Sequence, residues 1–198
     1  DIFITEDNQV FNFNSVSEFT TKISKILPKR SLVFALCDNN AESMLGYISF
    51  IKKHIVPLLL DSKIDNDLLN NLVTTYKPSY LWIPKEKISN FTDFKQIFSY
   101  KGYLLIQLPY KIKHNLDKKL AILLTTSGST GSPKLVKISY KNLTSNAESI
   151  AEYLSIDSNQ RPITSLPMNY SFGLSILNSH LIKGSTILLT SRSLMEKS

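Results

Sequence analysis

The apolar runs along these 198 residues predict an α/β domain: a layered, largely parallel sheet flanked by helices. Two observations carry that expectation. Short strand-like runs alternate with longer stretches whose apolar residues recur every three to four positions. The most hydroxyl-rich turn of the chain also follows directly on a strand, where parallel sheets present their loops.

Taken in order, residues 11–13 read as a short strand. Ser15 or Ser17 caps a helix that runs to about Leu27 and stops at Pro28. Residues 32–36 read as a buried strand. Asn39 or Asn40 caps the next helix, whose Met44, Tyr47, Ile48 and Ile51 share one face. A strand follows over 55–60, and Asp65 opens a helix carrying Leu68, Leu69 and Leu72. Residues 80–83 are another strand. Residues 85–101 mix polar and aromatic side chains without a period and receive no assignment. A strand at 104–106, a connector at 108–118, and strands at 120–124 and 135–138 come next. Ser139 precedes a helix with Leu143, Ala147, Ile150, Ala151 and Leu154 on one stripe. A strand at 163–166 leads to a helix at 172–182 that ends at Gly184, and 186–190 form the last strand. No internal repeat is visible.

The bulk composition narrows the functional classes. A hydrophobic fraction of 42% is that of a folded chain, long enough to bury the core of one domain. The net charge of +7 comes from twenty scattered lysines and only three arginines, Arg30, Arg161 and Arg192. A nucleic-acid surface clusters its cations and favours arginine, so nucleic acid is not the expected partner. The group Lys111, Lys113, His114, Lys118 and Lys119 reads as a solvated connector. The single cysteine, Cys37, excludes an internal disulfide, reads as a buried small hydrophobe, and points to a reducing compartment, the cytoplasm. His54, His114 and His180 have no metal-ligand spacing. No apolar run approaches membrane-spanning length and no signal peptide is visible. The chain begins with Asp, so its N-terminus is expected to be trimmed or incomplete.

One segment carries chemistry. Thr125-Thr126-Ser127-Gly128-Ser129-Thr130-Gly131-Ser132-Pro133-Lys134 lies between the apolar runs 120–124 and 135–138. Its two glycines let backbone N–H groups converge. Five hydroxyls between Thr125 and Thr130 can donate to phosphate oxygens, and Lys134 adds a positive charge. Solvated linkers share this composition, but they are seldom pinned between two strands. The segment is not the common P-loop, which needs Gly, four residues, then Gly-Lys-Ser/Thr. Physically it reads as a clamp for a polyphosphate.

The same residues resemble the phosphate-loop signature of the adenylate-forming enzymes: acyl- and aryl-CoA synthetases, adenylation domains of peptide synthetases, and luciferase. That signature is an aromatic residue or Thr, then Thr-Ser-Gly-Ser/Thr-Thr-Gly-x-Pro-Lys-Gly. Residues 126–134 match it throughout, and Leu135 departs where the family commonly has Gly. Residues 46–61 are similar to the family's helix-turn-strand ending in Pro-Leu-Asp, with Lys53-His54 in place of the usual Ala-Gly. Residues 11–19 resemble its opening strand and helix. Leu166-Pro167-Met168-Asn169-Tyr170-Ser171-Phe172-Gly173 resembles Leu-Pro-x-x-His-x-x-Gly, with Tyr170 where the family often has His. The resemblance covers nearly the whole chain.

The resemblance implies the N-terminal part of the large domain of an adenylate-forming enzyme. Residues 1–110 would be a first α/β segment, and 119–198 the phosphate loop with the start of a second; the C-terminal domain would lie outside the chain. It implies ATP and Mg2+ as cofactors, a carboxylic acid as substrate, and CoA or an acyl or peptidyl carrier protein as acceptor. Carried over, Thr126, Ser127, Gly128, Ser129, Thr130, Gly131 and Lys134 hold the ATP phosphates, while Asn169 and Tyr170 border the substrate pocket. No catalytic residue and no metal ligand is assigned within this stretch, and the piece alone is expected to be inactive. Two other readings stand beside this one. One is a non-catalytic nucleotide- or carboxylate-binding module. The other is a structural domain whose loop binds nothing.

Overall fold

The computed structural model describes residues 1–126 and 134–192. In chain order its strands are β1 (Phe3–Ile4), β2 (Val10–Phe11), β3 (Leu32–Cys37), β4 (Val56–Asp61), β5 (Tyr80–Pro84), β6 (Lys95–Tyr100), β7 (Tyr103–Gln107), β8 (Leu120–Thr125), β9 (Leu135–Ser139), β10 (Ile163–Thr164) and β11 (Ile187–Leu189). The helices are α1 (Phe13–Ile26), α2 (Ala41–Lys52), α3 (Asn66–Tyr76), α4 (Tyr140–Tyr153) and α5 (Ser171–Lys183).

Seven strands make the main sheet, in the order β6-β7-β5-β3-β4-β8-β9. Its centre, β5-β3-β4-β8, is parallel, as expected, while β6, β7 and β9 add antiparallel flanks. Alternation along β3 explains the layering. Val33, Ala35 and Cys37 join Phe19 of α1 and Met44, Tyr47 and Phe50 of α2 in one core cluster. Leu32, Phe34 and Leu36 join Leu69, Leu72 and Val73 of α3 in the other. Each face of the sheet therefore carries helices, and the centre is apolar throughout because both faces are covered.

Helix starts follow from short polar side chains. Asn40, Asp65 and Ser139 cap α2, α3 and α4, and Ser139 forms a reciprocal capping box with Asn142. For α1 the expectation needs correcting. Asn12, not Ser15 or Ser17, is the cap: its Oδ1 accepts the Ser15 N–H at 3.0 Å. The Ser15 hydroxyl donates back to the Asn12 carbonyl, inside the first turn. The strand expected at 11–13 accordingly ends at Phe11.

Residues 85–101, unassigned from the sequence, hold a 3-10 helix over Lys85–Phe91 and then β6. A register irregularity between Gln96 and Phe98 breaks the alternation that would have betrayed the strand. The strand expected at 163–166 is only Ile163–Thr164, and Leu154 lies exposed beyond the end of α4. A second sheet, β10-β11-β1-β2, was not expected; β1 runs parallel to β11 and antiparallel to β2. Gly184 closes α5 at φ +73°, where a glycine is favoured.

Candidate functional site

Because β3, β4 and β8 are parallel, their carboxyl ends lie at one edge of the sheet. The turn after β8 opens there. β8 and β9 form an antiparallel hairpin in which Thr125 pairs with Leu135. One step further on, the Thr126 N–H donates to the Lys134 carbonyl at 3.0 Å, and the Thr126 hydroxyl reaches the same oxygen at 3.3 Å. Thr126 and Lys134, the outer members of the expected clamp, are therefore brought together and both are exposed. Ser127, Gly128, Ser129, Thr130 and Gly131 lie outside the described residues.

The hairpin has a stiff base. β8 pairs with β4 at Leu58–Leu123 and Leu59–Leu124. At its amino end, the Arg30 guanidinium donates to the Leu120 carbonyl at 2.9 Å and to the Asp117 carbonyl. Arg30 itself sits at φ +63°, with its N–H bonded to the His54 carbonyl at 2.8 Å. A strand held at both ends and buried on both faces fixes where its turn emerges.

Two strands from β8, the end of β3 carries a polar network. Asp38 Oδ1 accepts from the Ser62 hydroxyl at 2.6 Å, and the Ser43 and Tyr103 hydroxyls lie 3.0 Å apart. The Tyr103 hydroxyl also donates to Asp38 Oδ2 at 3.4 Å. Burial pushes the Tyr103 phenol well above its ordinary range, so it remains a neutral donor. Asn39 Nδ2 donates to the Thr164 carbonyl at 3.1 Å, which links this edge to the second sheet. Burial likewise pushes the Cys37 thiol up, as befits a packed hydrophobe rather than a nucleophile.

Asn169 and Tyr170 stand at the start of α5. Tyr170 is the residue before its first turn, is 56% exposed, and makes no side-chain cap bond. Asn169 is half-buried, and its Oδ1 is a buried acceptor with no partner among the described residues. Gly173 of the same motif has a packing reason: a Cβ there would sit 2.3 Å from the Pro167 carbonyl and 2.7 Å from that of Leu166. The glycine lets the first turn of α5 lie on the Leu166-Pro167 backbone.

A groove of about 500 Å³ joins the two halves of the site, lined by Leu124 at the end of β8 and Ser171 beside Tyr170. Its polar wall on α4, Asn142 and Asn146, was not singled out from the sequence. The available signal was their i, i+4 spacing along the flank of the apolar stripe. Among the described residues, no group of three or more His, Cys, Asp or Glu could hold a metal ion. No helix there is long and apolar enough to cross a membrane.

Comparison with known proteins places this architecture. The chain is similar to apo MatB from Rhodopseudomonas palustris, with 18% identity and a TM-score of 0.78 over 97% of this chain and 42% of MatB. It is similar to the O-succinylbenzoate CoA synthetase MenE from Bacillus subtilis, in a complex with ATP and magnesium ion, with 20% identity and a TM-score of 0.76 over 98% of this chain and 54% of that one. A third likeness is to VinN, with 15% identity and a TM-score of 0.75 over 96% of this chain and 52% of VinN. At these identities the shared property is the fold. The chain thus spans about half the length of these structures or less. A family model described as AMP-binding enzyme matches residues 28–197, a span that takes in the main sheet, the hydroxyl-rich turn and the groove; the chain belongs to the AMP-binding enzyme family.

Proposed function

We propose that this chain is the N-terminal, phosphate-binding portion of a cytoplasmic acid-activating ligase. Residues 1–110 form its first α/β segment, and 119–198 the phosphate turn with the start of the second. The complete enzyme joins a carboxylic acid to the α-phosphate of ATP. A carboxylate oxygen attacks the α-phosphorus, the bond to the β-phosphate oxygen breaks, and pyrophosphate leaves with that electron pair. A thiol of CoA or of a carrier protein then displaces AMP from the acyl-adenylate.

The observation that supports this most is the Thr126–Lys134 closure of a hydroxyl-rich turn at the carboxyl edge of a parallel sheet. In this reading the Thr126, Ser127, Ser129 and Thr130 hydroxyls and the N–H groups at Gly128 and Gly131 hold the β- and γ-phosphates. Lys134 supplies a point charge against the leaving pyrophosphate. Magnesium, when bound, neutralises phosphate charge, and no residue of this chain is assigned to it. The isolated segment binds nucleotide without turning it over.

Calorimetric titration of the chain with ATP tests the reading. One charge-assisted contact is worth about 1.5–3 kcal/mol, so Lys134→Ala should weaken ATP binding roughly 10- to 150-fold. Equal affinity in the variant overturns the assignment of the turn. ATP–pyrophosphate exchange by the full-length gene product, screened against fatty, aryl and amino acids, tests the chemistry. ATP binding without exchange for any acid would favour a non-catalytic nucleotide-binding module.

A further inference from the structure

The groove between α4 and α5 has an apolar floor, with Leu124 and Ile138 of the hairpin and Leu143 and Leu174 of the helices. Its volume of about 500 Å³ is that of a small-molecule site. The walls are polar, yet among the described residues no ionisable side chain lines them. Asn142 and Asn146 stand one turn apart on α4, and Asn178 lines the groove from α5.

These three carboxamides share a pattern. Asn142 Oδ1 accepts from the Ser139 N–H at 3.1 Å and from its hydroxyl at 2.6 Å. Asn146 Oδ1 accepts from the Ser175 hydroxyl at 3.3 Å, a bond that crosses from α5 to α4. Asn178 Oδ1 accepts from the Tyr47 phenol at 2.8 Å. Burial raises the pKa of Tyr47, so that phenol stays a donor. In each case the protein occupies the amide oxygen and leaves the NH2 group without a partner among the described residues. The Ser149 and Ser171 hydroxyls, on opposite walls, are likewise unengaged there. The result is a charge-free groove of hydrogen-bond donors.

We propose that this groove takes the body of the acid substrate and selects acids whose chain carries acceptor oxygens, such as a second carboxylate or a carbonyl, over plain fatty acids. The inference rests on the acid-activating reading above. A hydrocarbon chain laid on these walls would bury amide N–H groups with nothing to receive them, and such unpaired groups are the strongest basis for rejecting an analogue. An oxygen-bearing chain meets them, and a carboxylate does so with charge-assisted bonds.

The test compares octanedioate with octanoate, which have equal length and differ in one terminal oxygen-bearing group. Nitrogen-15-labelled chain is titrated with each, and the side-chain NH2 resonances of Asn142, Asn146 and Asn178 are followed. Octanedioate should move all three and bind about tenfold more tightly than octanoate. Asn146→Leu should reduce that preference to about twofold or less, and Ser149→Ala, a milder exposed change, should reduce it in part. Octanoate binding as tightly as the diacid overturns the inference, as does silence of the three resonances with both acids. Inorganic triphosphate moving them where the diacid does not also overturns it. A parallel ATP titration keeps the two readings apart. A chain that takes the diacid but not ATP refutes the proposed function, whereas ATP binding with an inert groove refutes only this inference.

Discussion

Two strands of the same sheet, β4 and β9, lie on either side of β8 and are built in opposite ways. In β4 five of six residues are buried. In β9 none is buried, and Val136 and Lys137 are exposed. β4 pairs with neighbours on both edges, and among the described residues β9 pairs with β8 alone. β8 between them belongs to both regimes, buried from Leu120 to Leu124, half-buried at Thr125 and followed by the exposed Thr126. The contrast teaches where this fold keeps its rigidity. The parallel centre fixes a point in space, and the edge strand returns the chain from it with few apolar contacts to break. An edge strand with exposed side chains opens at lower cost than a strand paired and covered on all sides.

Four substitutions put this asymmetry to experiment. The largest effect should come from the centre. Leu58, fully buried in β4, truncated to Ala should cost about 2–5 kcal/mol in urea unfolding. A cost near zero would mean that the centre is not the scaffold. Next comes Gly173→Ala, whose new Cβ meets carbonyl oxygens that cannot move aside. It should cost about 1–3 kcal/mol in the same unfolding measurement. The third exploits Cys37 in β3. Its thiol pKa is raised by burial above the ordinary value near 9, so the folded chain keeps a proton that the unfolded chain releases. Stability should therefore fall as pH rises through about 9, approaching about 1.4 kcal/mol per unit, and Cys37→Ala should remove that part of the slope, leaving the fall that the buried Tyr47 and Tyr103 phenols add above about pH 10. The smallest effect belongs to the edge. Val136, 41% exposed, changed to Ala should alter stability by under about 0.5 kcal/mol. If Val136→Ala rivalled Leu58→Ala, the asymmetry between the two strands would be lost.

The sequence was readable where local chemistry and global position agree. Asn40, Asp65 and Ser139 announce their helices because a short polar side chain precedes a periodic apolar stretch. The strands of the centre are readable as unbroken apolar runs. β1 was not, since two residues carry no period and its pairing partner β11 lies at the other end of the chain. β6 escaped because of its irregular register and half-buried pattern. At α1, Asn12 competes for the cap with two serines close behind it, and spacing alone does not rank them. For the site, Thr126 and Lys134 stood out by residue type, and the fold adds their shared hydrogen bonds. The donor groove was not legible. Asparagine and serine on a helix look like ordinary solvated surface until a second helix, with its own asparagine and serines, is laid beside them.

The pairing of Phe3 with Ile187 sets a timetable for the growing chain. At about 5–20 residues per second, the ribosome needs on the order of ten to forty seconds between making the two. Through that interval β1 has β2 on one edge and, among the described residues, no strand on the other, while the parallel centre already has all its strands in hand. The second sheet is therefore the last part of this stretch able to assemble during synthesis. A nascent chain halted before residue 187 would leave β1 without its parallel partner.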